Sequence, residues 1–209
     1  MKQIIAICVL GLLLVVPSIS ISAGHPLLES VRPLSMVVVK EDTGEAFMGN
    51  ICTVSSINEK RQLWLTAAHC IEGDEPKYIL GEPIEIIMRD VQNDIAVVKT
   101  PLAKLPALKL AQRGPKVEDR VKVSGYPLGY AYPFITTGWV ANPFVVLDPR
   151  FAPFMIIQVT GAPGNSGSPI VNADNEIISV LQIGWGRLFS PMMGGATFQK
   201  LVQYASYWQ

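Results

Sequence analysis

No excess of either charge is present: 17 Lys and Arg residues face 17 Asp and Glu, and no basic run stands out. Binding that works by neutralising phosphates needs a basic stripe, so a nucleic-acid partner has no support here. The aromatic residues, 8% of the chain, are scattered instead of interleaved with basic ones. No segment is low in complexity and no repeat is visible as sequence identity. The longest apolar run, IIAICVLGLLLVV at 4–16, falls short of the roughly 20 residues that a helix needs to span a bilayer. Cysteine and histidine are scarce, three and two residues respectively, so each one carries weight.

What is present begins with that apolar run. Lys2 precedes it, and Pro17 and the small-residue stretch SISISA follow. This is the layout of a secretory signal peptide covering residues 1–23. It implies a secreted or periplasmic protein with no membrane contact after cleavage; an uncleaved anchor is the alternative. Cys8 leaves with the leader. Cys52 and Cys70 remain, an even pair in an exported chain, and a disulfide between them is expected.

Beyond the leader, runs rich in Val, Ile and aromatics recur at short intervals, broken by turn residues. They include LSMVVVK (34–40), AFMGNICTV (46–54), QLWLTAA (62–68), PIEIIMR (83–89), DIAVVKT (94–100), RVKVSG (120–125), FVVLD (144–148), FMIIQVT (154–160) and EIISVLQIGW (176–185). Short strands at this spacing predict an all-β sandwich or barrel instead of βαβ units. The proline-rich TPLAKLPALKLAQRGP (100–115) divides them into two lobes, 24–105 and 106–209. Only the C-terminus reads as helical: Phe198, Leu201, Val202, Ala205 and Trp208 form one apolar stripe, with Thr197 placed to cap it.

The chemistry concentrates in TGAPGNSGSP (160–169). Turn formers crowd around Ser166, and a nucleophilic serine needs a sharp turn together with backbone N–H groups that converge on an oxyanion. Such a serine also needs a base, and imidazole titrates near neutrality. His69 ends the apolar strand LWLTAAHC beside Cys70; the other histidine, His25, lies near the mature start. A carboxylate must orient that base. Asp94 in NDIAVVK precedes a buried-looking strand and is the candidate. Asp90 competes but is followed by polar VQND, and Asp74 lies in an exposed-looking EGDE turn.

LTAAHC, the Asp-Ile-Ala-Val-Val segment and GNSGSP, in that order, resemble the trypsin/chymotrypsin-like serine proteases. GYPLG (125–129) and TTGWVANP (136–143) resemble the second-lobe pattern of the bacterial members, in the style of high-temperature-requirement proteases and glutamyl endopeptidases. The order His, Asp, Ser departs from that of the α/β-hydrolases, which run Ser, Asp, His. The resemblance implies two six-stranded antiparallel β-barrels with a C-terminal helix. His69 and Asp94 would come from the first lobe and Ser166 from the second. Gly164 and Ser166 would supply the oxyanion hole. The substrate would be a polypeptide, with no metal or cofactor, and the alternative is an inactive binding protein on the same fold.

The same resemblance places a specificity pocket at Thr160, Gly161, Gly184 and Gly186, which offer no charge. Cleavage after small or medium apolar residues is the expectation. Asn165 stands where animal digestive proteases carry the acid that pairs with a freshly cut N-terminus, so activation by such a terminus is not expected.

Overall fold

The computed structural model describes residues 25–101, 105–146, 152–184 and 190–209; the leader and Gly186 lie outside them. After a one-turn helix α1 (Pro26–Glu29), seven strands make the first sheet. They are β1 (Val31–Val39), β2 (Ala46–Asn58), β3 (Leu63–Thr66), β4 (Lys77–Ile79), β5 (Glu82–Pro83), β6 (Glu85–Asp90) and β7 (Ile95–Lys99). Their order across the sheet is β5-β4-β1-β2-β3-β7-β6. β5 and β6 sit at opposite edges although only Ile84 separates them in the chain. The sheet must therefore curl until its edges approach, because one intervening residue spans at most about 7 Å. The result is a half-barrel.

The second sheet holds β8 (Arg120–Gly125), β9 (Phe134–Val145), β10 (Phe154–Gln158), β11 (Pro169–Val171), β12 (Ile177–Gly184) and β13 (Met193–Ala196). It closes as a six-stranded antiparallel barrel in the order β10-β13-β12-β11-β8-β9. The β-branched runs of the sequence form most of these strands. β7 is buried at Ile95, Ala96, Val97 and Val98, a continuous apolar run with both faces covered. The architecture is all-β and two-lobed, with little helix.

Three buried clusters hold it. One fills the half-barrel around Leu34, Val54, Trp64 and Val98, and another fills the closed barrel around Val123, Met155, Ile157 and Ile170. The third crosses between them, packing Ile57, Leu65 and Val97 of the first sheet with Val171, Ile177 and Val180 of the second. The connector is strapped to both lobes: Leu108 N donates to Ser56 O at 2.8 Å and Ala111 N to Ile177 O at 2.9 Å. The catalytic candidates lie where the lobes meet, so this shared core decides their relative placement.

The helical stripe at the C-terminus is realised in two pieces, α2 (Phe198–Val202) and a 3-10 turn at Ala205–Trp208. Asn58 ties the second piece to β2, its amide donating to the carbonyls of Tyr207 and Gln209 at 3.1 and 2.9 Å. Thr197 occupies the N-cap position, but its buried hydroxyl makes no capping bond.

Candidate active site

The strand β3 delivers His69 into a 3-10 turn, Ala68–Ile71, in which Ala68, Cys70 and Ile71 are buried and His69 projects outward. Cys70 is bonded to Cys52 of β2, with Cα atoms 6.0 Å apart. The turn is therefore pinned to the sheet immediately after the histidine. Cys52, His69 and Cys70 put their donor atoms within 4.8 Å of one another. With both sulfurs in the disulfide, only one imidazole remains, which is not a metal-binding set.

Asp94 ends the β6–β7 turn in the left-handed region, at φ 50°, a conformation costly for a residue with a Cβ. Its carboxylate engages His69 twice. Oδ1 accepts the His69 backbone N–H at 2.8 Å, and Oδ2 lies 2.8 Å from Nδ1. The second contact places the proton on Nδ1 and leaves Nε2 as the acceptor. Asp90, the competing acid, is engaged elsewhere. It accepts the N–H and side-chain amide of Asn93 at 3.0 and 2.5 Å and a short bond from the Tyr204 hydroxyl. Burial pushes the Asp90 carboxyl up, but the bonds from Tyr204 and Asn93 outweigh it and hold it below its ordinary value. Burial, followed by the Asp90 carboxylate, pushes Tyr204 up to about 12.

The Ser166 segment is built from two tight turns, closed by Asn165 N to Ala162 O at 3.1 Å and Ser168 N to Asn165 O at 3.0 Å. Gly164 and Gly167 take φ +95° and +81°. A Cβ on Gly164 would stand 2.4 Å from Tyr126 O, and one on Gly167 would stand 2.2 Å from Thr53 O. Both positions therefore exclude side chains. Ser166 is half-buried between these glycines, and Asn165 before it is buried. Among the described residues, the N–H groups of Gly164 and Ser166 donate no hydrogen bond, and neither does the Ser166 hydroxyl.

Two residues that sequence reasoning passed over tie these segments across the lobes. Thr53 on β2 donates from its backbone N to Ser166 O at 2.8 Å and from Oγ1 to Gly164 O at 3.0 Å, while accepting Tyr126 N at 3.0 Å. Gln182 on β12 donates from Nε2 to Asn93 O at 2.6 Å and to Asp94 O at 2.9 Å. These contacts join residues 73 to 113 positions apart, and nothing in the local sequence signals them.

Of the four pocket candidates, Thr160 is exposed and Gly161 buried, and Gly161 pairs with Ser190 in both directions at 3.0 and 2.8 Å. Gly184 lies opposite Met193 in the β12–β13 ladder. A Cβ at Gly161 would meet the Met193 Cε and Sδ at 2.6 and 2.7 Å, and one at Gly184 would meet Sδ at 2.9 Å. The Met193 thioether thus occupies the space that both glycines leave. A cavity of about 190 Å³ lies beside the same segment, walled in part by Leu128, Tyr130, Phe134, Thr160 and Ala162, with no charged residue among the described residues of its lining.

Residues 52–180 match the trypsin-like peptidase domain family. Among curated proteins, the chain is 34% identical over 124 residues to a probable periplasmic serine endoprotease, DegP-like, of Halomonas elongata, covering 56% of this chain and 26% of that one. It is 32% identical over 133 residues to the chloroplastic Protease Do-like 2 of Arabidopsis thaliana, covering 56% and 21%. The chain spans about a quarter or less of these relatives. Among solved structures, an HtrA-type protease, AlgW, with a decapeptide superposes with TM-score 0.70 at 18% identity, over 86% of this chain and 66% of that one. An active-form protease from M. tuberculosis superposes with TM-score 0.64 at 19% identity, over 86% and 81%. At these identities the superpositions speak for the fold.

Proposed function

Because the chain belongs to the trypsin-like peptidase family, we propose that it is an exported serine endopeptidase acting through His69, Asp94 and Ser166. The observation that carries this reading is the doubly held His69–Asp94 pair, combined with a glycine-shaped Ser166 turn whose amides are unengaged among the described residues. Ser166 Oγ attacks the substrate carbonyl carbon while His69 Nε2 takes its proton. Asp94 stabilises the imidazolium and keeps the proton on Nδ1. The carbonyl oxygen becomes an oxyanion bound by the Gly164 and Ser166 N–H groups. Collapse breaks the C–N bond, the amine leaves with the proton from His69, and an acyl-enzyme remains. Water, deprotonated by His69, then releases the acid and restores Ser166.

A polypeptide substrate follows from the same reading, cut after small or medium apolar residues. Among the described residues no charge lines the walls near Thr160 and Gly161, and a buried cationic or acidic side chain would need a paired one. The signal-like leader and the periplasmic name of the Halomonas relative support a secreted or periplasmic location. Among the described residues no helix is long and apolar enough to cross a membrane.

A fluorophosphonate probe tests the reading. It reacts with an activated serine, so the folded protein becomes labelled at Ser166, and Ser166→Ala does not. A folded wild type that stays unlabelled would overturn the enzyme reading in favour of a trypsin-fold binding protein.

A further inference from the structure

Two tethers run between the lobes in opposite directions, and each ends on a catalytic segment. Thr53 belongs to the half-barrel and is fully buried. Through Oγ1 it holds the carbonyl of Gly164, and through its N–H the carbonyl of Ser166. Its hydroxyl also accepts Tyr126 N, so donor and acceptor are both engaged and the rotamer is fixed. The far side of the residue is fixed too, because Thr66 Oγ1 donates to Thr53 O at 2.9 Å.

Gln182 belongs to the closed barrel. Its amide nitrogen directs both of its hydrogens at main-chain carbonyls of the acid turn, Asn93 O and Asp94 O. That turn needs an outside hold, since Asp94 sits at φ 50°, where a non-glycine residue is disfavoured. The Asp94 carboxylate is wholly engaged with His69, so the side chain aims the imidazole and Gln182 aims the backbone from which that side chain projects.

We propose that Thr53 and Gln182 are reciprocal positioning residues. The buried hydroxyl of one lobe sets the nucleophile turn of the other, and the amide of the second lobe sets the acid turn of the first. Neither side chain touches the reacting atoms. Together they fix the separation and angle between the His69–Asp94 pair and Ser166, on which proton transfer depends steeply. The proposal rests on the protease reading for its consequence in rate, but its geometric part does not.

The test compares Thr53→Val, Thr53→Ser and Gln182→Met in the full exported protein. Thr53→Val and Gln182→Met keep side-chain volume while removing the donor, and Thr53→Ser keeps the donor at the loss of one methyl. Three readouts are taken: the second-order rate of fluorophosphonate labelling, kcat and KM on a peptide substrate, and the downfield His69 Nδ1–H proton resonance. Thr53→Val and Gln182→Met each lower labelling and kcat about 10- to 100-fold with KM within about twofold, as misplacement on the order of 1 Å would. Thr53→Ser recovers to within about threefold. In Gln182→Met the Nδ1–H resonance shifts or broadens, whereas in Thr53→Val it stays. Since both tethers set one quantity, the double variant loses less than the product of the single losses. Folded variants with lowered denaturation midpoints but unchanged labelling rate and resonance would overturn the proposal, reducing both residues to structural bonds. An unlabelled wild type whose resonance still responds to Gln182→Met would sink the protease reading and leave the positioning intact.

Discussion

The Met193 thioether gives the proposed pocket its depth, and truncating it has a calculable effect. Met193→Ala removes Cγ, Sδ and Cε, the end of which lies against Gly161 and Gly184, at 2.6 to 2.9 Å from where their Cβ atoms would stand. The freed space suits a substrate side chain longer than alanine by the same atoms, such as leucine. Each buried methylene contributes about 0.8 kcal/mol, so the gain for leucine over alanine is about 2–3 kcal/mol. That is a change of about 30- to 150-fold in the ratio of kcat/KM values, at about 1.4 kcal/mol per tenfold. Met193 is 5% exposed, and its loss costs about 2–5 kcal/mol of stability, which a fold of about 5–15 kcal/mol survives in most cases. The assay is kcat/KM for matched peptides with Ala, Val, Leu or Phe before the cleaved bond, on variant confirmed folded and labelled by fluorophosphonate. An unchanged Leu-to-Ala ratio in such a variant refutes the placement of the pocket between these glycines.

Three further outcomes are expected. Ser166→Ala or His69→Ala lowers turnover on the order of 10⁶-fold and Asp94→Asn about 10⁴-fold, with folding intact; normal activity in Asp94→Asn together with loss in Asp90→Asn would reassign the acid. The Cys52–Cys70 bond, with a sequence separation of 18, contributes about 3 kcal/mol. Its loss in Cys52→Ala/Cys70→Ala is read from the urea midpoint, and a thiol titre in the denatured, non-reduced mature protein would contradict it. The Tyr204–Asp90 bond makes stability fall at both pH extremes. Tyr204, raised to about 12 in the fold from 10.0, contributes fully below pH 10 and loses that contribution as pH climbs to about 12. Asp90, lowered from 3.8, contributes above that value and loses it as pH falls below. Tyr204→Phe flattens the alkaline limb of denaturation midpoint against pH, and an unchanged slope there would dissolve the link.

The strands legible in the sequence were those whose own residues favour extended backbone. Val31–Val39, Ile95–Lys99 and Ile177–Gly184 are rich in β-branched residues that fit a pleated, half-buried surface. β13 reads Met-Gly-Gly-Ala and escaped notice for a reason its neighbours supply. A Cβ at Gly195 would lie 2.4 Å from Ser179 Oγ and 2.7 Å from Val180 O, so close strand approach selected glycine over good strand formers. His69 and Asp94 could be paired because each abuts a buried strand, β3 before the histidine and β7 after the acid, and those apolar runs mark the two positions locally. Thr53 and Gln182 carry no such mark, being an ordinary strand threonine and glutamine until the other lobe arrives. Met193 was hidden similarly: Gly161 and Gly184 read as empty space, and only the ladder register shows which side chain fills it.

The curl at Ile84 has a consequence for how the molecule behaves in company. An open sheet offers free backbone donors and acceptors at each edge, the usual template for pairing with another chain. Here one edge is β5, only Glu82–Pro83, and its proline has no N–H to offer. The other is β6, where Glu85, Arg89 and Asp90 punctuate six residues with charge. Ile84 ties the ends of these two strands together, its N–H bonded to Lys77 O at 3.1 Å. The ends of the two edge strands therefore meet at Ile84. Concentrated or secreted into a crowded space, the lobe offers a neighbour only a short, proline-blunted stretch at β5 and a charged one at β6 to extend.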